Sequence, residues 1–286
     1  MQANNYIKSP LNYIGGKYKL LPQIFELFPK DINTFVDVFG GGFNVGANVN
    51  CNEIIYNDNI PLLVDLMHTF YTYDVEFIIN RIENNIIDYN LSKINKDAYL
   101  NFRKYFNAST TKNPIDFYTL ILFSFNYQIR FNSKMEYNNT FGQNRSEFND
   151  RIKNNLINFV DLIQSKKIKF YNKDFTELDL SLTSHDFVYC DPPYLITTGS
   201  YNDGKRGFKG WSEKEELELY NYLDVLDSKN IKFALSNVIE SNNKENHLLK
   251  NWAKKYNLHK LDYDYNNSNF HRKNTNDSIE VLITNY

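Results

Sequence analysis

Apolar positions along the chain fall into two patterns. Short, nearly unbroken apolar runs occur at 34–40 (TFVDVFG), 53–59 (EIIYNDN), 167–175 (KIKFYNKDF), 186–194 (DFVYCDPPY) and 231–237 (IKFALSN). Runs of this length suit strands buried on both faces, and each leads into polar or unusual residues at its carboxyl end. Between them the period lengthens to that of a helix. Ser212-Glu213-Lys214-Glu215 is a capping box opening a helix whose Leu219, Leu223 and Leu226 share a face. Positions 242–256, with Leu248, Leu249 and Trp252, predict another helix, and the runs around 258–265 and 278–285 predict an antiparallel edge pair. The pattern is that of an α/β fold, a mixed sheet, mainly parallel with an antiparallel C-terminal edge. Ligands of such sheets sit outside the carboxyl ends of the strands.

From 61 to 165 the pattern changes. Helical stretches are expected at 62–90, 95–107 and 114–129, followed by the turn-rich aromatic segment RFNSKMEYNNTFGQNRSEFN. This block interrupts the sheet between its second and third strands. It predicts a catalytic and ligand-binding domain made of 1–60 and 166–286, carrying 61–165 as an inserted, mostly helical subdomain that bears specificity.

Composition narrows the function classes. A chain of 286 residues, 42% of them hydrophobic, can bury a core without disulfides or a structural metal. A mean hydropathy of −0.54, no bilayer-length apolar run and no signal-peptide core at the N-terminus predict a soluble, cytoplasmic protein. The net charge of −2 excludes a charge-only nucleic-acid binder but leaves room for a basic face. The chain holds 43 Asn against 6 Ala, with Lys far ahead of Arg. That skew follows AT-rich codons, so single Asn and Tyr residues carry little signal. Cys51, Cys190 and the five histidines show no ligand spacing, so no metal is predicted; Cys190, Trp211 and Trp252 are assigned to packing.

Two turns carry candidate chemistry. Asp37-Val38-Phe39-Gly40-Gly41-Gly42 leaves a strand and enters a helix, which lets a ligand approach bare backbone. Val45 stands where a dinucleotide fingerprint needs glycine, and the Gly-Lys-Ser/Thr of a P-loop is absent. Asp58, at the end of the next strand, is placed to accept hydrogen bonds from ribose hydroxyls. Alone, this turn fits a tight strand–helix connection equally well. Asp191-Pro192-Pro193-Tyr194 is sharper. Consecutive prolines end the ladder and fix a stiff extended turn, aiming the Asp191 carboxylate and Pro192 carbonyl at one point beside the Tyr194 ring. Two acceptors and an aromatic face match a planar group bearing an amine, such as the exocyclic amine of a base.

Together, and in this order, these segments resemble the Dam-type DNA adenine methyltransferases over nearly the whole chain. Asn12-Tyr13-Ile14-Gly15-Gly16-Lys17 resembles the family's aromatic-x-Gly-Gly-Lys segment, Asp37 to Gly42 its glycine-rich motif, and Asp191 to Tyr194 its catalytic motif. The resemblance implies a Rossmann-like methyltransferase sheet using S-adenosylmethionine. Cofactor contacts would come from Tyr13, Gly15, Lys17, Asp37, Phe39, Gly40, Gly42, Asp58, Asp174, Phe175 and Asp191. Asp191, Pro192 and Tyr194 would act on a flipped adenine. Arg130 to Gly142 resembles the DNA-contacting hairpin, which implies DNA contacts from Asn12, Arg130, Asn132, Lys134, Tyr137, Asn138 and Asn139. Lys205 and Arg206, in a glycine-rich basic loop, fit a DNA clamp or a plain connector equally. Asn12, Asn139-Thr140 and the residues after Tyr194 depart from the family's usual sequence on that DNA-facing surface, so a GATC target is not implied.

The expected activity is therefore methylation of adenine's amino nitrogen in double-stranded DNA by a monomer without membrane attachment, with a restriction endonuclease as a possible separate partner. Other amino acceptors (a cytosine amine, an RNA adenine, a protein amide) share the fold. A non-catalytic DNA-binding module is the alternative from another class.

Overall fold

The structure, a computed structural model, describes residues 6–13, 15–197, 211–262 and 278–286. Its strands are β1 (Thr34–Asp37), β2 (Glu53–Asn57), β3 (Ile168–Tyr171), β4 (Phe187–Cys190), β5 (Lys232–Ser241), β6 (Lys244–Glu245), β7 (Asn257–Leu261) and β8 (Ile279–Thr284). They form one sheet in the order β3-β2-β1-β4-β5-β8-β7, parallel from β3 through β5, with β8 antiparallel to both β5 and β7 and the short β6 paired antiparallel to β5 off that path. The mixed, mainly parallel sheet with an antiparallel C-terminal edge is thus the fold class the apolar runs predict. The chain winds outward from β1 to β3, then returns to place β4 on the other side of β1. The order reverses between β1 and β4, and a crevice opens at their carboxyl ends.

Strict alternation sorts the strand side chains onto two faces. Phe35, Ile54, Tyr56, Phe187 and Tyr189 enter one core; Val36, Ile55, Val188, Cys190 and Phe233 enter the other. The second face is covered by α8 (Glu213–Ser228), through Leu219, Leu223 and Leu226, and by α9 (His247–Trp252). The Ser212 capping box is present as the sequence predicts. The strands stop short of the apolar runs, β1 at Asp37 and β4 at Cys190, because the residues beyond leave the ladder to build the crevice.

The first face is covered by α1 (Leu21–Leu27), α2 (Asn44–Asn48) and a helical block of α3 (Pro61–Thr72), α4 (Val75–Tyr89), α5 (Lys96–Ala108), α6 (Pro114–Phe123) and α7 (Asp150–Gln164). α6 is buried from Ile115 to Phe123, and α3, α4 and α5 pack around it. The core is continuous: Leu63, Phe70, Tyr118 and Phe159 of the block join the same cluster as Phe35 and Tyr56 of the sheet. Three expectations need correction. The stretch 62–90 is two helices, because Asp74 caps α4 by accepting from the Glu76 amide. The helix expected to reach 129 ends at Phe123, since Asn126 and Tyr127 adopt left-handed φ. Residues 242–243 form a left-handed turn between β5 and β6, so the helix expected at 242–256 begins only after its Asn246 cap.

One buried network fastens α4 to α6. Asp116 accepts from Arg81 at 2.9 and 3.0 Å and from Asn85 at 2.8 Å. Asp116→Ala strands the buried Asn85 amide, while the half-exposed Arg81 can turn to solvent, and is expected to lower stability by about 1–3 kcal/mol. Urea unfolding with an unchanged midpoint would contradict this. Among the described residues, no helix is long and apolar enough to cross a membrane.

Candidate active site

The glycine turn after β1 is shaped by its neighbours. The Gly40 amide donates to the Asn57 carbonyl at 2.7 Å, and a Cβ on Gly40 would lie 2.3 Å from the ring of buried Tyr56. Gly41 needs its left-handed φ of +48°, and its carbonyl accepts from the Tyr56 hydroxyl at 2.9 Å. The Tyr13 side chain lies against Gly41 and Gly42, closing the turn from the other side. Asp58 accepts from the Gly41 amide at 3.0 Å and from the Ile60 amide at 2.9 Å, so the expected ribose acid also braces the glycine turn. Burial pushes its pKa up to about 6, against the pull of these amides. Asp37 is buried and, among the described residues, accepts from the Gly46 amide at 3.3 Å; burial, reinforced by Asp191, pushes it up to about 8.

The Asp-Pro-Pro-Tyr turn follows β4, on the strand adjacent to β1. Asp191 Oδ2 lies 2.9 Å from Lys17 Nζ, and its Oδ1 accepts from the Tyr194 hydroxyl at 2.8 Å. Glu280, from β8, joins them: its Oε1 is 3.2 Å from Lys17 Nζ and accepts from the Tyr194 hydroxyl at 3.2 Å. Lys17 gives its remaining donor to the Gly15 carbonyl at 2.6 Å, and its ammonium sits 5.0 Å from the Tyr194 ring centroid. Burial opposes the charge on Lys17, but Asp191 and Glu280 outweigh it and hold its pKa above the ordinary value. Burial pushes the Asp191 carboxyl up; Lys17 and the Tyr194 hydroxyl pull it down, and Glu280 adds to the rise.

Both turns open into one cavity of about 500 Å³. Its aromatic wall is Phe39, Phe175 and Trp211, with Phe39 5.5 Å from Phe175 and edge-on to Trp211 at 5.6 Å. The Trp211 indole donates to buried Glu216 at 2.5 Å. Trp211, assigned to packing from sequence, therefore also faces the cavity. Tyr13, Gly15, Lys17, Asp37, Phe39, Gly40, Gly42, Asp58, Asp174 and Phe175 line this space with Asp191, Pro192 and Tyr194. Asp174 also accepts from the amide and hydroxyl of Thr176, capping the turn that presents Phe175.

The residues expected on DNA divide. Asn12 and Arg130 reach the cavity; Asn12 donates to the Asn126 carbonyl at 2.8 Å and ties the cavity rim to the 124–142 segment. Lys134 and Asn138 are exposed. Tyr137 and Asn139 are corrected: both are buried, Tyr137 donating to the Gln128 carbonyl and Asn139 to those of Phe125 and Gln128. They hold the segment in shape and cannot face outward. Asn132 serves its own turn, accepting from the Lys134 and Glu136 amides. Lys205 and Arg206 lie outside the described residues.

Sequence reading missed Glu280, Trp211 and Asn57. Asn57, fully buried, donates to the carbonyls of Val38 and Lys173 and so ties the glycine turn to the segment after β3. The abundance of Asn hid it. Glu280 interrupts an apolar run within a strand, the one signal that could have singled it out.

This arrangement can be set beside known proteins. The chain is 54% identical over 287 residues to Modification methylase StsI of Streptococcus sanguinis, and 52% identical over 286 residues to Type II methyltransferase M.FokI of Planomicrobium okeanokoites. These matches cover 99% and 100% of this chain but 44% of each relative, so the chain spans less than half their length. DNA adenine methylase of Escherichia coli (strain K12) is 24% identical over 251 residues, 87% of this chain and 85% of that protein. The profile of the D12 class N6 adenine-specific DNA methyltransferases matches residues 13–267, a span that takes in Lys17, the glycine turn and the Asp-Pro-Pro-Tyr turn, and the chain belongs to that family.

Proposed function

We propose that the cavity binds S-adenosylmethionine and a flipped adenine of duplex DNA, and that the chain methylates the adenine's exocyclic nitrogen. The observation that carries this reading is the convergence of the Gly40–Gly42 turn and the Asp191 carboxylate on one cavity at the carboxyl ends of adjacent strands. The cavity fits the cofactor. Its volume is in the range of small-molecule sites, Asp58 retains lone pairs for ribose hydroxyls, and Phe39, Phe175 and Trp211 offer flat apolar surface to a purine. When bound, the cofactor supplies an electrophilic methyl group on a sulfonium.

The chain's own residues do the rest. Tyr194 offers its ring to the extruded base, which repays part of an unstacking cost of a few kcal/mol. Asp191 and the Pro192 carbonyl accept the two amine protons and hold the nitrogen lone pair on the line of attack. As the N–C bond forms and the C–S bond breaks, positive charge arrives on the amine, and the Asp191 carboxylate stabilises it before taking one proton. Positioning and charge placement supply the acceleration; no covalent enzyme intermediate is needed.

The 61–165 block is the region we assign to target recognition, with Arg130, Lys134 and Asn138 toward DNA. No described residue partners the buried Nε of Arg130, which leaves it a donor for an incoming phosphate or base. Similarity to a modification methylase and a type II methyltransferase supports a modification enzyme of a restriction–modification pair, and we place its action in the cytoplasm. The direct test is transfer of labelled methyl groups from S-adenosylmethionine to duplex oligonucleotide libraries. Label recovered in adenines of one sequence context supports the reading, and label in free protein or RNA alone would overturn it.

The ionisation of Asp58 gives a pH test. Its carboxylate form accepts the ribose hydroxyls, and its pKa stands near 6; with Asp37, pushed up to about 8, titrating separately, the contribution of Asp58 to affinity should be constant above its own pKa. Below it, affinity should weaken about tenfold per pH unit, and Asp58→Asn should bind weakly with a flat profile. Calorimetric titration of S-adenosylmethionine checks this, and an unchanged affinity at about pH 5 would contradict it.

A further inference from the structure

The catalytic carboxylate has a neighbour with no role in the chemistry described so far. One ammonium, Lys17, lies between two carboxylates, 2.9 Å from Asp191 and 3.2 Å from Glu280. The single hydroxyl proton of Tyr194 is likewise shared between them, at 2.8 and 3.2 Å. Lys17 and Asp191 alone would form a neutral pair, with the carboxylate's charge spent on its lysine. Adding Glu280 leaves the cluster one negative charge in excess. Glu280 also offers the Tyr194 proton another acceptor, so Asp191 Oδ1 can be released when an amine arrives.

We propose that Glu280 is a positioning residue that serves as counter-ion to Lys17 and alternate acceptor for Tyr194, keeping the net negative charge of Asp191 available to the reacting amine. This rests on the methyl-transfer reading above. The physical reason is charge balance: positive charge moves from the sulfonium to the amine during transfer, and a neutral Lys17–Asp191 pair would stabilise it far less than an anion would.

The other titratable groups around Asp191 do not replace this function. Tyr13, Tyr189, Tyr194 and Cys190 are all raised by burial and stay neutral. Asp37 is raised as well, by burial and by Asp191, and it bonds the Gly46 amide on the opposite side of the glycine turn. The charges that raise Asp37 are those of Asp191 and Asp58 and not that of Glu280, so the effect of Glu280 is read from the difference between Glu280→Gln and Glu280→Asp.

The test is single-turnover methylation of duplex DNA against pH, with saturating S-adenosylmethionine, for wild type and Glu280→Gln. Glutamine keeps the shape and an acceptor oxygen but removes the charge. The plateau rate should fall about tenfold or more. The acid limb of the profile should move to lower pH, because the negative charge that raises the Asp191 carboxyl is gone. A packing defect would lower the rate without moving the limb in that direction. Glu280→Asp should return the limb to its wild-type position with part of the rate. In a Lys17→Met background, which lacks the ammonium that Glu280 balances, Glu280→Gln should cost much less than in wild type. An unmoved limb, an unchanged plateau or additive costs in the double variant would each overturn the proposal. Wild-type protein that puts no methyl on deoxyadenosine would overturn the functional reading and this inference with it. An active wild type with an unmoved limb in Glu280→Gln would overturn this inference alone.

Discussion

Asp191→Ala should lower methyl transfer by at least about a thousandfold while leaving the protein folded. Its carboxylate is the charged acceptor placed at the mouth of the stiff Pro192-Pro193 turn, and alanine offers the amine neither a hydrogen bond nor a counter-charge. The fold should survive because the buried donors keep partners. Lys17 retains Glu280 and the Gly15 carbonyl, and the Tyr194 hydroxyl retains Glu280. Removing the carboxylate should therefore leave the melting temperature near that of wild type. Incorporation of labelled methyl into DNA, with a parallel thermal melt, checks both halves. Substantial turnover by the alanine variant would remove Asp191 from the chemistry. A collapse of the melt would make it a structural residue.

Gly40→Ala should damage both stability and cofactor binding. Glycine is required there by its neighbour and not by left-handed backbone. A Cβ would meet Tyr56 Cε2 at 2.3 Å, and that ring has nowhere to go: it is fully buried, edge-on to Phe43 at 4.8 Å, with its hydroxyl bonded to the Gly41 carbonyl. Relief must come from displacing the turn itself, which carries the Gly41 amide that Asp58 holds. Overpacking of this kind costs about 1–3 kcal/mol, and the displaced turn should weaken S-adenosylmethionine binding more than tenfold. Gly15→Ala is the control. It has open space around the added methyl but a φ of +79°, so it should bring backbone strain of about 1 kcal/mol without a clash. Equal melting temperatures for wild type and Gly40→Ala would show that the turn yields more easily than its packing indicates.

The contrast between these sites explains what the sequence made legible. The central strands could be read because β1, β2, β4 and β5 are buried on two faces, which forces the continuous apolar runs at 34–40 and 186–194. The site could be read where chemistry needs an unusual local string, as in Asp191-Pro192-Pro193-Tyr194. Parallel topology then carries such strings to one end of the sheet. What was illegible depends on long-range pairing. Glu280 meets Tyr194 across 86 residues of sequence, and no local period announces that contact. Trp211 was assigned to packing because an indole before a capping box has no spacing that separates a core from a cavity wall. Tyr137 and Asn139 were expected on DNA because their segment resembles the family's DNA-contacting hairpin. Their side chains are instead used up by the carbonyls that a segment with little regular secondary structure leaves unpaired. Helix ends were misjudged at Asp74 and Phe123 for a similar reason: a cap and two left-handed residues overrode the apolar period.

The central claim is that this cavity moves a methyl group onto adenine's amino nitrogen. Purified protein incubated with S-adenosylmethionine and genomic DNA lacking adenine methylation, then digested for nucleoside mass spectrometry, tests it in one step. N6-methyldeoxyadenosine formed by wild type and absent with Asp191→Ala is the predicted result. Methyl found on deoxycytidine instead, or no methylated nucleoside from protein that still binds the cofactor, would contradict it.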